Sequence, residues 1–274
     1  MIKKYSIVSI FILFVTVTFA QEKYTCAEMG LKGNVKTITE TKYKLNDINP
    51  GLNEVLNITF QFNKNCQKTS EITTEIGGDT KIKHAITYDK AGKITSEVKQ
   101  NKDVNGNFTI RYKYNTDKTL KQKELVAGGK VLSTYIYAYD DKGNVSGMDI
   151  KKKLGLLDIN NETFTYKYDD KNRLIEELHM DGEAYNKIEY VYNDKDQLTR
   201  RVEYNQRGGI TYETDYEYDE LDNLSAETSK YRGNSTHNIS YVYEYDAQGN
   251  WINKRSLADN RTFELQIRII SYYK

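Results

Sequence analysis

Aromatic and polar residues alternate along most of this chain in the pattern of β-strands. In one typical segment, Phe164, Tyr166 and Tyr168 alternate with Thr165 and Lys167. This period of two places the aromatic side chains on one face and the polar ones on the other, as in a strand with one buried face. A polar run rich in Asp and Asn follows, and these residues favour turns because their side chains bond nearby backbone.

The same pattern, aromatic, any residue, aromatic, then Asp or Asn, occurs eight times. The copies are Phe60/Phe62/Asn63, Ile86/Tyr88/Asp89, Tyr112/Tyr114/Asn115, Tyr137/Tyr139/Asp140, Tyr166/Tyr168/Asp169, Tyr190/Tyr192/Asn193, Tyr216/Tyr218/Asp219 and Tyr243/Tyr245/Asp246. Successive copies are 26, 26, 25, 29, 24, 26 and 27 residues apart. A fixed period of this length predicts a repeat architecture in which each unit buries its apolar face against its neighbours.

A second turn signal falls between successive copies, so each repeat reads as a hairpin of two strands of about eight to ten residues. These signals are Gly77-Gly78, Asn105-Gly106, Gly128-Gly129, Asn160-Asn161, Asp181-Gly182, Gly208-Gly209 and Gly233-Asn234. The predicted fold class is all-β, an antiparallel hairpin array of about 26 residues per repeat.

The array begins and ends on half-repeats. Residues 32–35 match the second half of the unit and residues 270–272 match the first half. Pairing of the first strand with the last would remove both exposed sheet edges. The sequence leaves three forms open, which are a curled sheet, an open shell and a closed barrel.

The string Y-x-Y-D-x-x-G-N, clearest at 137–144 and 243–250, resembles the tyrosine-aspartate repeats of the rearrangement-hotspot (Rhs) family. The resemblance covers roughly residues 32 to 273. It implies a curling antiparallel sheet, which in large members forms a hollow shell around a toxin or part of an adhesion protein. This sequence departs from the family in lacking Gly from the Asp169 and Asp219 turns and in placing Lys68 at a usually aliphatic position. Nothing after Trp251 matches the self-cleavage motif and toxic domain of the large members.

The first twenty residues read as a secretory signal. Lys3 and Lys4 precede an apolar run at 7–19, and Ala20 ends a plausible cleavage site. An uncleaved membrane anchor is the alternative. We therefore expect a signal peptide at 1–20, a lead-in at 21–31 and one repeat domain at 32–274, exported to the periplasm, outer surface or medium.

Charge argues against nucleic acid as a partner. Removal of the leader deletes two lysines, leaving 38 basic against 39 acidic residues, a net charge of −1. A nucleic-acid surface needs a basic excess to displace counterions from phosphates. After cleavage we expect no transmembrane segment, because the apolar face is dominated by tyrosine, whereas lipid-facing strands are mainly aliphatic.

Cys26 and Cys66 are the two cysteines of an exported chain, which predicts a disulfide. Two free thiols are the alternative. A catalytic role for either cysteine is not indicated, since neither lies near a histidine in sequence.

The sequence gives no catalytic or metal site and no cofactor motif. His84, His179 and His237 lie in different repeats without ligand spacing, and we expect surface or turn positions for them. Turn formation alone explains Asp pairs such as Asp140-Asp141, with calcium binding as the alternative. We expect no enzyme.

The tyrosines have two interpretations, because the side chain combines an apolar ring with a polar tip. Identical repeat positions favour packing in the core, and a binding surface is the alternative. The candidate surface residues are Tyr137, Tyr166, Tyr190, Tyr216, Tyr243 and Trp251.

The leading hypothesis is a non-enzymatic envelope or surface scaffold that binds carbohydrate or protein. The second is an accessory or remnant shell of a polymorphic toxin system.

Overall fold

The computed structural model describes residues 24–46, 49–75, 81–101, 106–154, 157–232 and 235–274. The predicted signal peptide at 1–20 lies outside these residues. Eighteen β-strands occupy the described part of the chain. They are β1 (Val35–Asn46), β2 (Asn49–Phe62), β3 (Lys68–Glu75), β4 (Lys81–Tyr88), β5 (Ile94–Asn101), β6 (Gly106–Tyr114), β7 (Leu120–Ala127), β8 (Lys130–Tyr139), β9 (Val145–Leu154), β10 (Leu157–Tyr168), β11 (Leu174–Asp181), β12 (Ala184–Tyr192), β13 (Leu198–Tyr204), β14 (Ile210–Tyr218), β15 (Leu224–Tyr231), β16 (Ser235–Tyr245), β17 (Trp251–Ala258) and β18 (Arg261–Tyr272).

Each strand pairs antiparallel with the next along the chain, and β18 pairs with β1. The sheet therefore closes into an 18-stranded barrel. This confirms the predicted all-β hairpin array and selects the closed form among the three that the sequence leaves open. Closure gives every strand two neighbours, so neither end of the array is an exposed edge.

The seam between β18 and β1 rebuilds one repeat from the two half-repeats. The Tyr273 N–H donates to the Asn34 carbonyl at 2.8 Å. The same kind of bond, from Asp246 N–H to the Asn250 carbonyl at 2.9 Å, closes a turn inside a complete repeat. The two ends of the repeat array therefore meet with the geometry of an uninterrupted unit.

The Asp or Asn after each aromatic pair closes the turn that follows. Asp169 Oδ1, for example, accepts the N–H groups of Lys171 and Arg173 at 2.9 Å each. Seven of the eight copies share this arrangement, and in the Asn115 copy Asp117 accepts the Thr119 N–H instead.

The fourth residue of each of these turns has a positive φ, which explains two departures from the family pattern. Gly143 takes φ 85°, a conformation that glycine adopts without steric penalty. In the turns without glycine, Asn172 and Asp222 take φ 60° and 64°. Asn and Asp tolerate this region better than other side chains, so the turn type is kept.

One predicted turn is wrong. Asn160 and Asn161 lie within β10, where the register with β9 shifts between Ile159 and Glu162. The Asn pair therefore forms a bulge, and the strand continues through it because Ile159 before it and Glu162 after it both pair with β9. Gly77-Gly78, Asn105 and Gly233-Asn234 lie outside the described residues.

The aromatic face forms the inner wall of the barrel. The Lys123 ammonium lies 5.3 Å from the Tyr112 ring centroid and 5.9 Å from that of Tyr137, although these rings belong to strands two apart. The buried strand residues Ile86, Phe164 and Tyr166 lie on this face, and the buried face of a closed barrel is its inner one. Two buried apolar clusters lie on this wall. The mid-array cluster is Met148, Ile150, Phe164 and Tyr166, and the seam cluster is Cys26, Leu31, Val35, Ile38 and Phe62.

The N-terminal segment 24–34 packs against the seam cluster. A disulfide joins Cys26 to Cys66, the pairing that the sequence predicts, and a β-bridge joins Thr25 to Gln67. Asn250, which immediately precedes β17, accepts the Lys32 N–H at 2.7 Å. This segment therefore ties β17 to the turn between β2 and β3 across the seam.

Candidate functional site

The first aromatic residue of each repeat stands opposite an inward residue of the next strand, eleven positions later. The pairs are Phe60 with Glu71, Ile86 with Glu97, Tyr112 with Lys123, Tyr137 with Met148, Tyr166 with Glu177, Tyr190 with Arg201, Tyr216 with Glu227 and Tyr243 with Lys254. Seven of these eight partners are ionisable. We call this band of paired residues the inner belt.

The second aromatic residue of each repeat has a structural role. In six copies its hydroxyl donates to a backbone carbonyl of the preceding repeat at 2.7–2.9 Å. The donors are Tyr88, Tyr114, Tyr139, Tyr168, Tyr192 and Tyr218. These bonds link neighbouring repeats and hold the first-position rings of the inner belt at a fixed spacing.

Four of the candidate tyrosines keep part of their surface accessible on the inner wall. Tyr137, Tyr190, Tyr216 and Tyr243 are half-buried, whereas Tyr166 is only 5% exposed and belongs to the mid-array cluster. The structure therefore places these five on one face, as the repeat pattern predicts.

Trp251 lies beside the inner belt, opposite Tyr245 in the ladder. The Arg268 guanidinium stacks 3.3 Å from its ring centroid, and Glu40 accepts the Arg268 Nε–H at 2.9 Å. Burial lowers the pKa of Arg268, and the nearby Glu40 carboxylate opposes that effect. The tryptophan is thus one side of an aromatic and charged cluster at the seam.

Glu177 is a buried carboxyl group of the inner belt. It is 3% exposed, and burial raises its pKa from 4.5 to about 7. The Tyr190 hydroxyl, 3.4 Å from its Oε2, and the Arg201 charge act in the opposite direction. Burial and the Glu177 charge in turn raise the pKa of Tyr190.

In the β16–β17 part of the inner belt, a lysine ammonium lies over two tyrosine rings. The Lys254 ammonium lies 4.2 Å from the Tyr241 ring centroid and 5.9 Å from that of Tyr243. Burial lowers the pKa of Lys254, while the carboxylates of Glu264 and Glu227 favour its charged form. An ammonium over an aromatic ring is attracted by the negative face of the ring.

Two histidines do not lie where the sequence predicts. His84 is 6% exposed on the inner wall, where its Nε2 contacts Glu97 Oε2 at 2.5 Å, and the Tyr24 hydroxyl donates to the other Glu97 oxygen at 2.8 Å. His179 stacks on Phe164 with ring centroids 4.2 Å apart. Both are strand residues with inward side chains, so the expectation of surface or turn positions is wrong for them. His237 is exposed, within β16.

Sequence reasoning missed the ionisable half of the inner belt, although its signal is the constant offset of eleven residues from the first aromatic position.

No group of three or more His, Cys, Asp and Glu side chains able to hold a metal ion occurs among the described residues. None of those residues belongs to a helix long and apolar enough to cross a bilayer.

Comparison with known proteins gives similarity of shape only. No family model and no curated protein matches the chain. A porin-like protein from Bacteroides uniformis is 10% identical with a TM-score of 0.47, covering 88% of this chain and 99% of that one. A porin-like protein from Bacteroides vulgatus is 13% identical with a TM-score of 0.38, covering 87% and 98%. The Photorhabdus luminescens Tc holotoxin pore is 14% identical with a TM-score of 0.33, and the match covers 84% of this chain and 15% of that one. Resemblances this distant carry no conclusion about activity.

Proposed function

We propose that the protein is an exported, non-enzymatic scaffold of the cell envelope or cell surface that binds a carbohydrate or protein ligand on its inner belt. The observation that carries this proposal is the pairing of half-buried tyrosine rings with ionisable side chains at one level of the wall. Barrels of 16–18 strands are wide enough to leave a channel, so a ligand has room beside this wall.

The chemistry of the inner belt suits a ligand with both apolar and polar parts. Tyrosine rings offer flat apolar surface and the charged tips beside them offer hydrogen bonds. The ionisable residues are Glu71, Glu97, Glu177 and Glu227 against Lys123, Arg201 and Lys254, so the two signs nearly balance. This balance favours a ligand of low net charge over a polyanion such as nucleic acid.

The outer wall supports a setting in water. Ion pairs join neighbouring strands on the outside, with Lys113 and Glu124 2.5 Å apart and Arg200 and Glu213 also 2.5 Å apart. A wall that faces lipid carries an apolar band at this level, and charged residues there are destabilising. We therefore place the barrel in the periplasm, on the outer surface or in the medium.

Glycan-array and pull-down experiments with the mature chain test the proposal. We expect a stable carbohydrate or protein ligand whose affinity falls at least about tenfold in Tyr190→Ala or Tyr216→Ala, since stacking on an aromatic ring is lost. Val191→Ala is the matched control, because Val191 is the outward neighbour of Tyr190 and 50% exposed. Turnover of a substrate without any stable partner would overturn the non-enzymatic assignment.

A second candidate is an accessory or remnant shell of a polymorphic toxin system. The observation in its favour is the repeated Y-x-Y-D-x-x-G-N hairpin turn, built here with the Asp140 and Asp246 side chains capping the backbone. Genes for immunity or secretion proteins beside this one would favour the candidate, and an isolated gene would count against it.

A further inference from the structure

The outer wall of the barrel is divided into a charged part and an uncharged part. Between β6 and β15 the outward side chains form ion pairs across neighbouring strands, such as Lys167 with Glu176 at 2.7 Å and Arg200 with Glu213 at 2.5 Å. Lys and Glu supply many of the outward positions there, as is usual for a solvated sheet face.

Fourteen adjacent outward positions of β18, β1, β2 and β3 carry no charge, and Glu54, the β2 partner of Tyr43, borders them. They are Leu265, Ile267, Ile269 and Ser271 on β18, Thr37, Thr39, Thr41 and Tyr43 on β1, Asn57, Thr59 and Gln61 on β2, and Ser70, Ile72 and Thr74 on β3. We call these fourteen positions the neutral face. In a chain with 29% charged residues, an uncharged run across four adjacent strands distinguishes this face from the remaining wall.

An apolar stripe runs along one side of the neutral face. Leu265, Ile267 and Ile269 occupy successive outward positions of β18, alternating with the inward Gln266 and Arg268. Ile269 is 72% exposed, the largest exposure among the large apolar side chains of the described residues. Its ladder partner on β1 is Thr39, and that of Ile267 is Thr41.

We propose that the neutral face is the interface of a homodimer in which two copies of this chain pack sheet against sheet. A two-fold axis near Ile269 places each apolar stripe against its equivalent, and the threonine rows of β1 flank the contact on both sides. A surface that pairs with its own copy across a two-fold axis must be complementary to itself. An uncharged face meets this requirement without opposing like charges.

The size of the neutral face also fits a dimer. The four strands of the neutral face, about 4.8 Å apart and each about eight residues of about 3.3 Å long, cover roughly 500 Å², and the bordering strands β17 and β4 extend the contact to roughly 750 Å². Specific protein interfaces bury about 800 Å² per partner. Arg255 on β17 and Lys83 on β4 lie at the margins, where charged residues form the rim of an interface.

A lipid surface fits the same face less well. Peripheral binding to membranes relies on basic residues and buried aromatic anchors beside the apolar surface. Beside the apolar stripe, β1 offers threonines and a single aromatic side chain, Tyr43 opposite Leu265, and the fourteen positions include no basic residue.

Sedimentation equilibrium of the mature chain and two variants tests the dimer. We expect the wild type to sediment as a dimer at micromolar concentration, and Ile269→Glu to raise the dimer dissociation constant at least about 100-fold, because it buries charge at the centre of the interface. Val191→Glu is the matched control, since Val191 is an outward and 50% exposed apolar residue of β12, and it should leave the constant unchanged.

A cysteine variant tests the same contact without introducing a charge, so the test still decides the matter when Ile269→Glu does not fold. Ile269→Cys should give a covalent dimer under mild oxidation, while Val191→Cys should remain monomeric on a non-reducing gel. A monomeric wild type at tens of micromolar, or a dimer that Ile269→Glu leaves intact, would overturn the proposal. Binding of a monomeric wild type to phosphatidylcholine vesicles would overturn it in favour of a lipid partner.

Discussion

The two apolar clusters on the inner wall are built from different parts of the chain. The mid-array cluster takes Met148 and Ile150 from β9 and Phe164 and Tyr166 from β10, which are neighbours along the sequence. The seam cluster combines the N-terminal segment with β1 and β2, and Ile270 and Tyr272 of β18 pack against it. Hairpin repeats thus stabilise themselves locally, whereas the closing contact needs both ends of the chain and a covalent link.

The seam also departs most from the repeat pattern. Phe60 and Phe62 replace tyrosines where Cys26 and Leu31 pack, and the ladder pair Ile38 and Ile270 is apolar. The Lys68 backbone N–H donates to the Tyr24 carbonyl at 2.6 Å, and its ammonium lies 3.0 Å from Glu71. These departures are explained by the N-terminal segment, which packs against the wall here.

Removal of the disulfide should have the largest effect and act at the seam. The Cys26–Cys66 link closes a loop with a sequence separation of 40, which stabilises by about 4 kcal/mol in the chain-entropy model. We expect the double variant Cys26→Ser, Cys66→Ser to lose about that free energy of unfolding in urea melts. A loss below about 1 kcal/mol would mean that the β1–β18 ladder alone holds the seam.

Truncation of Phe164 tests the mid-array cluster. Phe164 is 5% exposed and stacks on His179, so Phe164→Ala should lower the free energy of unfolding by about 3 kcal/mol or more. The matched control is Thr165→Ala on the outward face, with an expected change within about 0.5 kcal/mol. Equal effects of the two variants would show that the aromatic face is not the packed one.

The pH dependence of Glu177 should change the free energy of unfolding by about 2–3 kcal/mol between pH 5 and pH 8. Its pKa is raised to about 7 in the fold from an ordinary 4.5, so the unfolded chain loses this proton first as pH rises. The wild type should therefore lose stability between pH 4.5 and 7, at up to about 1.4 kcal/mol per pH unit, and level off above pH 7. Glu177→Gln removes this slope.

Melts of the wild type and of Glu177→Gln at pH 5 and pH 8 measure how the free energy of unfolding of each protein changes with pH. The glutamine variant should gain about 2–3 kcal/mol relative to the wild type between the two pH values. If the wild type and Glu177→Gln differ in free energy of unfolding by the same amount at pH 5 and at pH 8, Glu177 has the same pKa in the fold as in the unfolded chain.

The smallest predicted effect is a difference in destabilisation between removal of a tyrosine hydroxyl at the seam and removal of one in the middle of the array. Tyr272 donates to the Asp246 carboxylate and Tyr168 donates to the Val145 carbonyl at 2.9 Å. Hydrogen bonds to charged groups contribute about 1.5–3 kcal/mol and neutral ones about 1 kcal/mol. Tyr272→Phe should therefore destabilise more than Tyr168→Phe by about 1 kcal/mol in parallel urea melts, and the reverse order would contradict the assigned bonds.

The sequence predicts the repeating parts of the fold because they depend on short-range patterns. Alternation fixes which face of a strand is aromatic, and Asp169 or Asn193 marks a turn because its side chain caps the backbone that follows. Asn160-Asn161 shows the limit of this reasoning, since the same turn preference gives way to ladder partners on both sides.

The parts that could not be predicted depend on contacts between distant segments. The burial of His84 and Glu97 follows from Tyr24, which lies 73 positions before Glu97. Which of the three forms the array takes is likewise decided by pairing of β1 with β18, a pairing that the half-repeats at the two ends allow but do not require. The inner belt could have been predicted in part, because its offset of eleven residues is constant.

The closing ladder determines the order in which this chain can fold. Among the described residues, seventeen of the eighteen strand pairings join consecutive strands, and those hairpins can form as soon as each pair of strands is available. The remaining pairing joins groups 228 positions apart, as between Glu40 and Arg268, and it has to wait for the last strand to emerge. Loop-closure entropy and contact order both make that final step slow, and until it occurs two long strand edges remain open to pairing with other chains. A version of this chain shortened by one strand should therefore aggregate during refolding rather than merely melt at a lower temperature.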